Sequence, residues 1–163
     1  MKNTKIYKLI MAVLICEAAG IIGSFFTTPA IGGWYKELNK PLFSPPNWVF
    51  APVWTLLYFL MGISLYLIRT KEIRIGKEIR QKTVALMIFE IQLILNMAWS
   101  FLFFGLKNPL LAFAEIIILW ISILLCIIHF YKIDKKAAYI LLPYIFWVSY
   151  AATLNFSLWR LNL

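Results

Sequence analysis

The sequence predicts an all-α integral membrane protein, built as a bundle of five transmembrane helices with the N terminus cytoplasmic and the C terminus outside. Three observations predict it. The 163 residues are 63% hydrophobic and 14% charged, whereas soluble domains hold about 45–50% apolar residues. Mean hydropathy is +0.82. Five apolar runs, at residues 6–26, 47–68, 83–105, 109–130 and 137–159, each reach the roughly 20 residues needed to cross a hydrocarbon core. Lipid offers no partner to unpaired backbone groups, and barrel strands would alternate and be about half as long, so these runs are helices. No hydrophilic block remains for a second domain, and residues 1–163 form a single transmembrane unit.

The first run follows Lys2, Lys5 and Lys8, as a signal peptide would. Its apolar character continues through residues 21–26 and Glu17 interrupts it, so it is retained as a span. Cys16, Gly20 and Ser24, with Ala19 and Gly23, give small-residue ridges suited to close helix approach. The connection at about 27–46 is long, and long connections are lids, binding loops or disorder. Gly32, Gly33, Trp34 and Tyr35 argue against disorder, which leaves a lid over the bundle or an interfacial aromatic anchor.

The second span opens on PLFSPPNWVFAPVW, where prolines fit a loop or first helical turn but not a helix interior. On the third span Gln92, Asn96 and Ser100 share a face, as do Pro143, Trp147, Ala151 and Asn155 on the fifth. The fourth carries Glu115, Cys126 and, at its inner end, His129. One histidine and two separated cysteines offer no metal-ligand spacing, and no nucleophile, base and acid set or phosphate-binding glycine loop is present.

Twelve of the sixteen lysines and arginines, Arg74 among them, fall on one side if the N terminus is cytoplasmic. The net charge of +9 is therefore a topology signal. The basic stretch 69–82 lacks interleaved aromatics, so its expected partner is membrane lipid and not nucleic acid.

This topology puts the 27–46 connection outside. At 1.5 Å per residue, Trp54, Asn96 and Ala151 then lie about 10, 13 and 12 Å from the outer ends of their spans, with Trp147 one turn deeper. Polar side chains at such depth face the bundle interior. They form either interhelical glue or one wall of an aromatic cavity for a large, flat, mostly apolar ligand. Glu17, Glu90 and Glu115 stand either as a proton or ion path or as protonated structural groups, with no lysine or arginine mid-membrane to pair with them.

Three stretches carry a resemblance: WYKELNKPLFSPPNWVFAPVWTLLYFLMG at 34–62, QLILNMAWSFLFFG at 92–105 and PYIFWVSYAATLNFSLWRLN at 143–162. Together they resemble the translocator protein family, also called the tryptophan-rich sensory protein or peripheral benzodiazepine receptor family, across all five spans. The resemblance implies a compact homodimeric five-helix receptor or sensor. Its cavity would bind porphyrins, notably protoporphyrin IX, and benzodiazepine-type ligands beneath the first loop. It requires no cofactor, the porphyrin being ligand or substrate. By matching positions, Trp54, Asn96 and Trp147 are ligand contacts, Ala151 tunes affinity, and Trp34 and Tyr35 belong to the lid. Trp54 and Trp147 would be catalytic only in the alternative function, light-dependent porphyrin degradation; a further alternative is a tetrapyrrole transporter, for which no inverted repeat is visible. Trp48 stands as an interfacial anchor or a contact. Phe156 occupies the place of the tyrosine in the animal cholesterol pattern, so sterol is not expected, and a bacterial cell membrane is the expected location.

Overall fold

The computed structural model describes residues 2–73 and 76–163, and its five long apolar helical stretches are those of a multi-pass membrane protein. Arg74, counted above with the inner charge, lies outside the described residues.

Helix α1, Lys2–Ile31, extends beyond the expected end at Phe26 and passes through Pro29. The Thr27 hydroxyl turns back onto the Gly23 carbonyl at 3.1 Å, so a polar residue here continues the helix. The connection consequently shrinks to residues 32–46 and contains a short helix, α2, Trp34–Glu37. A tight turn at Asn47–Val49 leads into α3, Phe50–Thr70. Pro52 sits in its first turn, where backbone N–H groups have no helical acceptor to lose.

Helix α4, Gly76–Ser100, begins earlier than the apolar run because two charged turns continue it beyond the lipid. It ends in a π-helical turn, Phe101–Gly105, in which the Leu106 N–H donates to the Phe101 carbonyl at 2.8 Å. Asn108 then accepts the Leu111 N–H at 3.0 Å and caps α5, Pro109–Ile133, with Pro109 in the first turn. Asp134 caps the next helix, α6, Lys135–Ile140, by accepting the Lys136 N–H at 2.9 Å. The fifth span is not one helix: it breaks at Leu141 before α7, Leu142–Leu161. Pro143 has no N–H to continue the ladder across the junction.

The helices close into a ring in which α1 packs on α3 and α4, α5 packs on α4 and α7, and α3 meets α6. Glycine sets the α1–α3 distance. A Cβ on Gly62 would stand 2.5 Å from the Val13 Cα, so the two backbones touch there. The hydroxyl of Ser64 donates to the Ala137 carbonyl at 2.8 Å and fastens α3 to α6. Toward the other end, aromatic side chains line the space between α3 and α7, as where Phe50 meets Trp147 with ring centroids 6.2 Å apart.

Candidate ligand cavity

That space is a cavity of about 370 Å³ at the end of the bundle bearing residues 32–46, bounded by α1, α3, α4 with its π turn, and α7. Its size falls within the roughly 300–1,000 Å³ of small-molecule sites. Trp54, Asn96, Trp147, Ala151 and Tyr35 all line it. Trp34 does not: its ring packs edge-on against Phe103 at 5.6 Å, behind the wall. Trp48 is 73% exposed and also lies outside the lining.

The walls are mostly aromatic. Trp54 lies 5.6 Å from Tyr58 with planes 30° apart and meets Tyr144 edge-on at 6.3 Å. Opposite them, Trp99 stacks on Phe103 at 5.1 Å. Tyr35 is buried against Phe104 at 5.7 Å, with the Lys40 ammonium 4.8 Å above its ring. Burial holds the Tyr35 hydroxyl above its ordinary pKa, so it stays protonated at neutral pH.

The cavity floor is a chain of hydrogen bonds through three helices. Tyr58 donates to the Asn96 Oδ1, the Asn96 Nδ2 donates to the Tyr144 hydroxyl at 3.0 Å, and Tyr144 donates to the Gln92 Oε1 at 2.9 Å. Asn96 therefore serves the helices as glue while its side chain lines the cavity. Nearby, the Trp99 indole donates to the Asn155 Oδ1 at 3.0 Å, and the Asn155 Nδ2 donates to the Pro109 carbonyl at 2.8 Å. The Trp147 indole nitrogen is different: it is buried and has no partner among the described residues.

The roof is stitched to α7. Asn162 accepts the Asn39 N–H at 2.9 Å and returns a bond to the Asn39 carbonyl at 3.0 Å. Tyr150 donates to the Phe43 carbonyl at 2.8 Å. The flank between α1 and α3 is open instead, for Ile21, Ser24, Thr28, Ala51 and Thr55 line the cavity yet are exposed at the bundle surface. Ser24, read from the sequence as packing, belongs to this rim.

Residues 12–160 match the TspO/MBR family. The chain belongs to that family. It is 45% identical over 157 residues to the "Tryptophan-rich protein TspO" of Archaeoglobus fulgidus, covering 96% of this chain and 98% of the relative. Identity to the protein of the same name in Chlorobaculum tepidum is 39% over 160 residues, 98% and 99% of the two chains. The "Translocator protein" of Homo sapiens is 35% identical over 141 residues, 86% and 82% of the two chains.

Within this family member the three membrane carboxylates occupy unlike surroundings. Glu17 lines the cavity, and Glu115 is buried with neither oxygen bonded among the described residues. Glu90 is met from a helix end and not from mid-span: Arg69, in the last turn of α3, approaches it to 3.7 Å on the exposed flank. Sequence reasoning passed over Tyr58, Tyr144 and the Trp99–Phe103 stack. A signal for Tyr58 was present, since it lies four residues after Trp54 and hence on the same helical face.

Proposed function

We propose that this chain is a homodimeric receptor or sensor in a bacterial cell membrane, binding porphyrins, protoporphyrin IX foremost, and benzodiazepine-type ligands in the aromatic cavity. The positive-inside tendency supports an orientation with the basic end of the bundle in the cytoplasm and the roofed end outside. The observation that carries the reading is the convergence of Trp54, Tyr58 and Trp147 on one roofed cavity. Flat π surfaces favour a flat, polarisable guest. The relatives' names, with "sensory protein" in Cereibacter sphaeroides, fit a receptor role. Titration with protoporphyrin IX in the dark tests it: tryptophan fluorescence should quench saturably and Trp147→Phe should weaken the effect. Absence of saturable quenching in folded protein overturns the proposal.

A second reading follows from both indoles sharing that cavity. In this reading, light-dependent photo-oxidative porphyrin degradation, Trp54 and Trp147 would supply redox chemistry beside the excited macrocycle with molecular oxygen as the oxidant that is reduced, and illumination should bleach bound porphyrin faster than free porphyrin. Equal bleaching by Trp54→Phe and Trp147→Phe proteins at full occupancy removes the indoles from that chemistry.

A further inference from the structure

Among the described residues the cavity wall contains a single side chain with a formal charge, Glu17. Among the described residues neither of its oxygens has a hydrogen bond or an ion pair, and Arg69, the cation at the end of α3, is engaged with Glu90. Apart from the Trp147 indole, which is a donor and not an acceptor, several other polar groups of the wall are already committed. Ser24, Thr27 and Thr55 donate to carbonyls of their own helices, at 2.7, 3.1 and 3.0 Å. Asn96 and Asn155 are bonded on both amide atoms. Glu17 is left as an acceptor with no donor.

Its position gives that acceptor a meaning. Gly20 stands one turn further along α1 on the same face, and it abuts the Tyr58 ring so closely that a Cβ would lie 2.5 Å from it. Glu17 and Tyr58 thus share one stretch of the cavity wall, and the Tyr58 ring is followed by Trp54 at 5.6 Å. A carboxylate sharing a cavity wall with two aromatic rings matches a cation: the charge attracts it, the ring quadrupoles reinforce the attraction, and its arrival gives the unpaired carboxylate a partner.

We propose that Glu17 forms a subsite for a protonated amine at the inner end of the cavity. Ligands it selects are aromatic or polycyclic bodies that carry a basic nitrogen. The inference rests on the ligand cavity of the preceding reading and not on a tetrapyrrole as its occupant.

Dibenzylamine, protonated at neutral pH, and dibenzyl ether, its neutral isostere, provide the test, titrated calorimetrically into the full chain in uncharged detergent with protein-free micelles as blank. The amine should bind about tenfold more tightly than the ether. In Glu17→Gln the ratio should fall to about one, while continued ether binding reports an intact cavity; Glu17→Asp should keep part of the preference. Equal affinities in the unaltered protein, or a preference that survives Glu17→Gln, overturn the proposal. A preference that holds while protoporphyrin IX fails to quench sinks the tetrapyrrole reading alone, and quenching without any preference sinks the amine subsite alone.

Discussion

Tyr58 on α3 donates its hydroxyl proton to the side-chain oxygen of Asn96 on α4, and that bond forms the floor of the cavity. The nitrogen of the same amide donates a hydrogen bond to the Tyr144 hydroxyl on α7, so one asparagine fixes the mutual height of three helices. Function and stability meet at this residue, since whatever occupies the cavity rests on the group that holds its walls together.

Asn96→Ala should therefore cost more than Tyr58→Phe. The first leaves the buried Tyr58 hydroxyl without its acceptor, at about 1–3 kcal/mol, and also takes a donor from Tyr144, which keeps its bond to Gln92, whereas the second removes one donor from a network that keeps its other bonds. Thermal unfolding in detergent should rank them in that order, and porphyrin affinity should fall further for Asn96→Ala. An Asn96→Ala protein as stable as Tyr58→Phe would show that the chain of bonds is not holding the helices.

Helix contact at Gly62 makes a second prediction. Its missing Cβ is replaced by the Val13 backbone, with the Val13 nitrogen 3.0 Å from the place a methyl would take. Gly62→Ala must push α1 from α3 and should cost about 1–3 kcal/mol. Gly32→Ala meets nothing within 4 Å and serves as the control. Similar melting temperatures for the two would contradict the tight crossing.

These residues also mark how far the sequence could be read. The five spans were legible because the length of an apolar run is set by membrane thickness, and the shared level of Trp54, Asn96 and Ala151 follows from helical rise alone. What was not legible depends on packing between segments. Trp34 and Tyr35 are adjacent and chemically alike, yet only the turn of α2 against Phe103 decides that Tyr35 faces the cavity. The reach of Arg69 to Glu90 likewise needs the α3–α4 geometry. The break at Leu141 had a local signal in Pro143, but the apolar run masked it.

The stitched roof should control ligand exchange. Asn162→Ala removes both bonds between its side chain and Asn39, leaving the longer Asn39 side-chain bond to the Leu161 carbonyl, 3.4 Å, and the Tyr150 bond to Phe43 as polar ties of the roof to α7. Amide hydrogen exchange at Asn39 should accelerate, and bound porphyrin should dissociate faster with little change in association through the open α1–α3 flank. Unchanged protection at Asn39 would mean the roof is held by packing alone.

At the opposite end, Asp134 ties α3 to α5 and α6. Its carboxylate accepts the Lys71 ammonium at 2.9 Å and the N–H groups that cap α6. The Lys71 bond foremost, aided by those N–H groups, holds its pKa below the ordinary carboxylate value. A carboxyl depressed in the folded state stabilises above its unfolded pKa of about 3.9, and that contribution is lost as pH falls through the lower folded value. Asp134→Asn keeps a capping oxygen but not the charge, so its stability should vary less across this acidic window. Asp134→Ala loses the cap as well and should be weaker at neutral pH by about 1 kcal/mol more than Asp134→Asn. Melting curves between pH 3 and 7, about one unit below to three above that reference value, separate the two effects, and identical acid profiles for wild type and Asp134→Asn would remove Asp134 from the acid response.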